Sequence, residues 1–406
     1  MILPADAWKL ICAHARALPA VPRPAGAALG DFLAEPVPAD RDVPPADRSA
    51  MDGFAVQAHD VRQAPVDLPV AAEIAAGSPA GAGVPPGACV RIFTGANLPP
   101  GADAVVMQED TEPAGDGNRS VRILKPVSAG ANVFRQGENA RQGEELLAVG
   151  TRLDAAAIAL CAAVGRGSVR VHRRPAVGLL ATGSELLDAD AAALPHQIRD
   201  SNTPFLRAAL AAHRYEISAC ERAADNPDSI VAALRRLAAC SDVVVMTGGV
   251  SVGRYDFTAE AMRKAGATIW FHGVALKPGK PQLFATDAEG RLLFGLPGNP
   301  LSAMVGFYEF VLPALHLLAG CPPEHCQTCV TVRVAHDLQV KGGRQQYVPA
   351  RLTWTPTGPE ATSVNVQGTA DLVAGARADG TLIVPAEAKA VPAGAFLAFR
   401  PWRVPW

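Results

Sequence analysis

Apolar and polar positions divide the first part of the chain into an inserted β-like stretch with helical and strand patterns on either side. Between about residues 47 and 142, short apolar runs are separated by Gly- and Pro-rich turns, which is typical of an all-β unit. Residues 151–165 then follow a helical pattern that has Asp154 near its start, and residues 168–172 follow a strand pattern. We therefore expect a β domain that interrupts an N-terminal domain.

Residues 175 to about 320 alternate between buried strands and amphipathic helices. Strands are predicted at residues 177–181, 215–220, 242–246, 268–274 and 291–296. Helices are predicted at residues 203–213, 227–240, 257–265 and 301–319. Such alternation is typical of a doubly wound, three-layer α/β sheet domain. The last eighty or so residues return to short β-like runs between turn residues, which predicts a small C-terminal β-barrel.

Together these patterns predict a multidomain α/β plus β protein with four domains. An elongated N-terminal domain is predicted from residues 1–46 and 140–173, and the inserted β domain from residues 47–139. The α/β domain is predicted at residues 174–321 and the barrel at residues 322–406. A chain of 406 residues is long enough for several domains of ordinary size.

Charge and composition narrow the classes of partner. The formal net charge of −2 argues against a general nucleic-acid or anionic-membrane binder, because such proteins carry a basic excess. The N-terminus lacks a basic segment followed by an apolar core, so we expect no signal peptide and a cytoplasmic protein. Cys321, His325, Cys326 and Cys329 are spaced closely enough for a zinc site, but no second ligand pair follows, which favours free thiols.

Four Gly-containing turns follow strands of the predicted α/β domain, and each carries a reactive side chain. The turns are Thr182-Gly183-Ser184-Glu185, Thr247-Gly248-Gly249-Val250-Ser251 with Asp256 beyond it, Lys277-Pro278-Gly279-Lys280, and Pro297-Gly298-Asn299-Pro300. Ligands of open α/β sheets bind beyond the carboxyl ends of the strands. Backbone N–H groups and lysines can bind phosphate there, and the carboxylates of Glu185 and Asp256 suit Mg²⁺.

Each of these turns alone is more often ordinary turn chemistry, a lone carboxylate is usually a helix cap, and a lone lysine pair is usually solvated. The functional interpretation depends on all four turns meeting at one edge of one sheet. The chain has no Gly-x-x-x-x-Gly-Lys-Ser/Thr loop, dinucleotide fingerprint, His-Glu-x-x-His or Gly-x-Ser-x-Gly motif. These absences disfavour a kinase, an ordinary dehydrogenase, a zinc protease and a serine hydrolase.

Read in order, these motifs and two earlier ones resemble the molybdopterin molybdenumtransferases, a family that includes the C-terminal domain of gephyrin. The earlier motifs are Ser49-x-Met51-Asp52-Gly53 and Phe93-Thr94-Gly95-Ala96, and Asp200-Ser201-Asn202 also matches. The resemblance covers nearly the whole chain. The α/β domain alone also resembles the molybdopterin adenylyltransferases.

The resemblance implies that adenylylated molybdopterin and molybdate are converted to molybdenum cofactor and AMP with a divalent cation, expected to be Mg²⁺. It also implies a homodimer with an active cleft near the subunit interface, and the adenylyltransferase and apo-molybdoenzymes as candidate partners. The family's functional positions fall on Asp52, Thr94, Glu185, Asp225, Asp256, Lys277, Pro297 and Pro300. We assign roles to Lys280 and Ser251 from their chemistry instead.

Two positions depart from the family pattern. A segment that ends in Gly-Glu-Asp in the family is aligned with Arg141-Gln142-Gly143-Glu144-Glu145, which places Glu145 at the acidic position. A second lysine of some members is replaced by Gly273. Two alternatives to an insertase stay open, an adenylyltransferase and a non-catalytic scaffold or cofactor carrier. The choice between molybdate and tungstate also stays open, because the two anions are alike in size and charge.

Overall fold

The structure of the chain is a computed structural model that describes residues 1–115, 119–250 and 257–403. The centre of the fold is a six-stranded sheet that is parallel except for one strand. Its strands lie in the order Glu216–Ala223, Ala176–Thr182, Val243–Thr247, Leu292–Leu296, Leu283–Thr286 and Thr268–His272. Leu283–Thr286 is antiparallel to both of its neighbours, so the other five strands end at the same edge.

Helices cover both faces of this sheet, as the predicted three-layer architecture requires. They are Asn202–Ala212, Pro227–Cys240, Phe257–Lys264 and the continuous run Pro300–Leu318. Asn226 begins the second of these helices by accepting a hydrogen bond from the Ser229 N–H, and Pro227 occupies its first turn. Separate apolar cores lie on the two faces of the sheet.

The run Pro300–Leu318 is long and apolar enough to cross a membrane, and 89% of its apolar window is buried inside the protein. It consists of the helix Pro300–Gly306, a π-helical turn Phe307–Val311 and the helix Leu312–Leu318. Core packing therefore explains its composition.

The N-terminal region is built from both sides of the inserted segment. The helix Pro4–His14 leads to the strand Ala20–Pro24, which pairs antiparallel with Ser168–His172. The helix Ala155–Ala163, capped by Asp154, packs into the same small core. Strand pairing across the insertion is what the predicted discontinuous domain needs, although its boundaries stay predictions.

The inserted segment forms a second six-stranded sheet. Its order is Ala104–Met107, Gly53–Val56, Cys89–Ile92, Val66–Ile74, Ser120–Ile123 and Thr111–Ala114. Gly53 is required here, because a Cβ at this position would lie 1.9 Å from the Val106 carbonyl oxygen. Two apolar clusters pack within this segment.

The C-terminal region is a closed five-stranded barrel, which confirms the predicted class. Its strands are Gln345–Thr355, Gly358–Ser363, Val330–Val334, Phe396–Pro401 and Gly380–Val384, and the last pairs with the first to close the barrel. The short helix Leu372–Arg377 lies against the helix Pro300–Gly306 of the α/β region, where Gly375 allows close approach to Met304. The multidomain α/β plus β fold class is thus confirmed.

Candidate functional site

A cavity of about 840 Å³ lies at the edge where the parallel strands of the central sheet end. Ten of the predicted site residues line it, nine from three of the four Gly-containing turns and one, Asp225, from just beyond the strand Glu216–Ala223. They are Thr182, Gly183, Glu185, Asp225, Gly248, Gly249, Pro297, Gly298, Asn299 and Pro300. The volume is within the range of small-molecule and cofactor sites.

Glycines let two neighbouring turns approach each other at the base of the cavity. Gly248 has a φ of +90°, and a Cβ on it would lie 2.3 Å from the Thr182 carbonyl oxygen. Thr182 itself is buried and donates its hydroxyl to the Thr247 carbonyl oxygen at 3.3 Å. Only glycine combines this φ with this contact, so the double-glycine sequence is explained by the geometry of the site.

Carboxylates line one side of the cavity. Glu185 folds back over Gly183, where any Cβ would lie 2.9 Å from its two carboxylate oxygens. Asp225 accepts a hydrogen bond from the backbone N–H of Ser184 at 3.0 Å, so Ser184 contributes by fixing a carboxylate and is not itself part of the lining. Asp200 also lines the cavity and accepts the Thr203 N–H at the start of a helix.

The Pro297–Pro300 turn forms another part of the cavity wall, and two side chains fix it in place. The amide of Asn202, which is buried, donates to the Gly298 carbonyl oxygen at 2.8 Å. The amide of Asn299 donates to the Thr369 hydroxyl oxygen at 2.7 Å. Thr369 belongs to the C-terminal region, and its neighbours Ala370 and Leu372 line the cavity. The wall is therefore shared between the α/β region and the barrel region.

Lys277 and Lys280 do not line the cavity, although Pro281, directly after them, does. The strand Leu283–Thr286, which the sequence pattern did not predict, lies between the strand that precedes these lysines and Leu292–Leu296. The lysines therefore follow the edge strand Thr268–His272, which is not adjacent to Leu292–Leu296. Leu276–Lys277 instead adds to the barrel, in parallel with Gln345–Thr355.

Asp52 and Thr94 form a second polar group on the inserted sheet. The Asp52 carboxylate accepts the Thr94 backbone N–H at 2.8 Å and the Thr94 hydroxyl at 2.7 Å. These hydrogen bonds, the backbone one most strongly, lower the pKa of Asp52 below its ordinary value. Both side chains are exposed, and neither lines the cavity within this chain.

Ser251 and Asp256 lie outside the described residues, so the structure says nothing about their predicted roles. Over residues 1–115, 119–250 and 257–403, no group of three or more His, Cys, Asp or Glu side chains is placed to hold a metal ion. In the cysteine cluster, Cys321 and Cys326 are buried and Cys329 is exposed. The Cys326 thiol donates to the carbonyl oxygens of Cys321 and Pro322.

The predicted set missed several lining residues, of which Arg199, Asp200, Ala370 and Leu372 are the clearest. Asp200 was already part of the quoted Asp-Ser-Asn motif, and that motif was a usable signal. Arg199 directly precedes it and could have been included for the same reason. Ala370 and Leu372 carry no chemical signal, because only the packing of the barrel region brings them to the cavity.

The Arg-Gln-Gly-Glu sequence that directly precedes Glu145 occurs twice in the chain, beginning at Arg135 and at Arg141. Both copies form the same turn, in which the glutamate side chain accepts the backbone N–H of the arginine. The earlier copy would place Asn139 at the family's acidic position. Asn139 lines a smaller cavity of about 390 Å³ beside Gly95, whereas Glu145 is exposed on a short strand.

Comparisons with known proteins agree with this arrangement. Residues 2–165 match the MoeA N-terminal region (domain I and II), residues 178–317 a probable molybdopterin binding domain, and residues 331–402 the MoeA C-terminal region (domain IV). A molybdopterin molybdenumtransferase of Nostoc sp. is 38% identical over 79% of this chain and 74% of its own length. One from Bacillus subtilis is 36% identical over 89% and 85%. The chain belongs to the molybdopterin molybdenumtransferase family.

The whole architecture of this family is present. A molybdenumtransferase of Staphylococcus aureus (strain Mu50) is 32% identical over 96% of this chain and 93% of its own length. The solved structure of the molybdopterin biosynthesis moeA protein from Pyrococcus horikoshii OT3 aligns with a TM-score of 0.84 at 27% identity, covering 98% of this chain and 99% of that one. All four regions of the fold are therefore shared with members of the family, which are transferases by name.

Proposed function

We propose that the protein inserts molybdenum from molybdate into adenylylated molybdopterin, which yields molybdenum cofactor and AMP. The observation that carries this proposal is the cavity of about 840 Å³, where turns characteristic of the family converge. It is large enough for a pterin nucleotide, and its lining combines carboxylates, exposed backbone turns and apolar side chains.

The residues have distinct roles in this proposal. The Gly248–Gly249 turn and the Pro297–Pro300 turn face the ligand with backbone groups, and Thr182 and Asn202 hold these turns rigid. Such fixed dipoles act by positioning and electrostatic stabilisation, and no covalent intermediate on the protein is needed. Lys277 and Lys280 lie outside the described lining, so in this proposal they offset phosphate charge at longer range. Ser251 keeps the phosphate-binding role that we inferred from its chemistry.

The described carboxylates fit a divalent cation that binds together with substrate. Mg²⁺ commonly uses one or two carboxylates plus substrate phosphates, so a preformed cluster of three acidic ligands is not required. Glu185 lines the cavity with an exposed carboxylate, and Asp256 is the second ligand we expect. A cation there would neutralise charge on the phosphate oxygens during AMP release.

Asp52 and Thr94 enter this proposal through a homodimer. They are hydrogen-bonded to each other and exposed, and the described lining of the cavity in the same chain contains no residue of the inserted sheet. A second copy that brought its inserted domain to the cavity would add these groups to the active cleft. The same proposal includes a cytoplasmic location, with the molybdopterin adenylyltransferase and apo-molybdoenzymes as partners that supply substrate and receive product.

A turnover assay tests the function directly. Purified protein is mixed with adenylylated molybdopterin, Mg²⁺ and micromolar molybdate, and AMP release and reconstitution of an apo-molybdoenzyme are followed. Molybdate-dependent AMP release with active cofactor is expected, and a parallel reaction with tungstate measures selectivity. ATP-dependent adenylylation of molybdopterin would instead indicate the adenylyltransferase. Tight binding without release would indicate a carrier.

A further inference from the structure

The described lining of the main cavity has more negative than positive side chains, although the proposed ligand is phosphorylated. Its described lining contains three carboxylates, Glu185, Asp200 and Asp225, and a single permanently positive side chain, Arg199. A ligand with a diphosphate group is repelled by the carboxylates unless cations offset them. Among the described lining residues, Arg199 is therefore the group best suited to contact a phosphate directly.

The backbone of Arg199 is held firmly at the cavity. Ile198–Arg199 pairs in parallel with Leu186–Leu187, and the backbone N–H groups of Ile198 and Asp200 donate to the carbonyl oxygens of Glu185 and Leu187 at 3.1 and 2.9 Å. The metal-binding candidate Glu185 directly precedes the strand Leu186–Leu187, which also positions Arg199. A cation and an anion are thus held close together by this pair of short strands.

The guanidinium of Arg199 is oriented but not neutralised. Its Nε–H donates to the Ala191 carbonyl oxygen at 3.0 Å, which fixes the plane of the group. Within the described part of the chain, no carboxylate forms an ion pair with it. The neighbouring acid, Asp200, instead accepts a hydrogen bond from the Thr203 N–H, and its Oδ2 lies 3.9 Å from Nη2 of Arg222. The two Nη groups of Arg199 thus remain available as a planar pair of donors.

Apolar surface lies beside this cation. Ile198 is 55% exposed and Leu372 is 39% exposed, and both line the cavity. Apolar side chains of this kind in a cavity wall are suited to pack against a ring of a ligand. A planar heterocycle on this surface would place an attached phosphate within reach of the adjacent guanidinium.

We infer that Arg199 binds a phosphate of the adenylylated pterin, through the two-pronged hydrogen bonding that a guanidinium offers to phosphate oxygens. This inference rests on the proposed function for the identity of the ligand. The main direct contact with the nucleotide-side phosphate is thus assigned to Arg199 and not to Lys277 or Lys280. Glu185 and Arg199 then act as a pair, one toward the cation and the other toward the phosphate.

The test uses the full chain and compares substitutions of Arg199 with a substitution of an arginine outside the cavity. Arg199→Gln removes the charge but keeps a shorter polar side chain, and Arg199→Lys keeps the charge but loses the planar fork. Arg207→Gln is the matched control, because Arg207 is an exposed arginine on the next helix and does not line the cavity. Circular dichroism and Tm establish that each variant is folded.

Affinity for AMP in the presence of Mg²⁺ is measured by isothermal titration calorimetry. We expect Arg199→Gln to raise the Kd for AMP roughly 10- to 100-fold, as the loss of a charge-assisted hydrogen-bond pair predicts. Arg199→Lys should give a smaller increase, and Arg207→Gln should stay within about twofold of the parent. An Arg199→Gln variant with parental affinity, or a parent that does not bind AMP, would overturn the assignment.

Kinetics separate this inference from the proposed function. In the insertion reaction, Arg199→Gln should raise the KM for adenylylated molybdopterin and leave the KM for molybdate unchanged. An increase confined to the KM for molybdate would overturn the phosphate role. If AMP binding depends on Arg199 but the parent shows no molybdate-dependent AMP release, the phosphate site stands and the proposed function fails.

Discussion

Replacing Arg400 by Met should destabilise the junction between the α/β region and the barrel. Arg400, on the barrel strand Phe396–Pro401, donates from Nε and Nη2 to the two carboxylate oxygens of Glu309 at 2.9 and 3.2 Å. Glu309 lies in the π-helical turn Phe307–Val311 of the α/β region. The side chains are 9% and 4% exposed, so water cannot replace the lost partner.

The magnitude follows from this burial. Removing one member of a buried ion pair leaves an unpaired charge and typically costs about 3–5 kcal/mol. Arg400 also donates to the Thr328 carbonyl oxygen at 2.9 Å, which adds to the loss. Arg403→Met is the control, because Arg403 pairs with Asp379 at 3.0 Å with about half of its side chain exposed. Such a surface pair is worth about 0–1 kcal/mol.

Urea unfolding, followed by circular dichroism and tryptophan fluorescence, measures the difference. We expect Arg400→Met to lower the free energy of unfolding by several kcal/mol more than Arg403→Met does. The double variant Glu309→Leu with Arg400→Met should recover most of the loss, because replacing both charges by apolar groups removes the unpaired carboxylate. Equal effects of Arg400→Met and Arg403→Met would refute this reasoning.

Three further predictions concern the site and its acid sensitivity. Gly248→Ala should abolish AMP binding and lower Tm more than Gly266→Ala does. Both glycines have φ near +90°, but only at Gly248 would an added Cβ clash with backbone atoms. Equal losses of Tm in the two variants would contradict the contact. Thr94→Val should raise the pKa of Asp52 but leave it below its ordinary value, because the stronger backbone hydrogen bond remains. A carbon-13 NMR titration measures the pKa of Asp52 in both proteins. An unchanged pKa would exclude a contribution from the Thr94 hydroxyl. Burial lowers the pKa of His316 to about 3. The unfolded chain therefore binds the proton more readily than the folded chain. Stability is lost as the pH falls from about 6.5 toward 3, by up to about 5 kcal/mol. His316→Gln should flatten that loss in urea midpoints measured between pH 7 and 4.5, and a slope equal to that of the parent would rule it out.

Much of the fold could be predicted from local pattern, because strand and helix periods and turn residues are properties of short segments. The helix Pro227–Cys240 was predicted with the bounds that the structure has, because an Asn-Pro start and an amphipathic pattern define it without outside help. The turn Thr247–Gly249 was also predicted, because glycines directly after a buried strand are a local signal for a turn. Motif order along the chain was enough to indicate the family.

Tertiary structure decided which of these turns meet. The strand Leu283–Thr286 is too short for its pattern to be recognised, yet it lies between two other strands of the sheet. Lys277 and Lys280 follow the edge strand and do not line the cavity. Asn299 bonds to Thr369, seventy residues later, and nothing near either residue indicates that contact. Packing between segments distant in sequence also brings the barrel region to the cavity wall. The same packing leaves Arg199 as the one permanently positive side chain among the described lining residues. Local sequence thus determined the elements and the turn chemistry, whereas the shape and charge of the site arose from long-range packing.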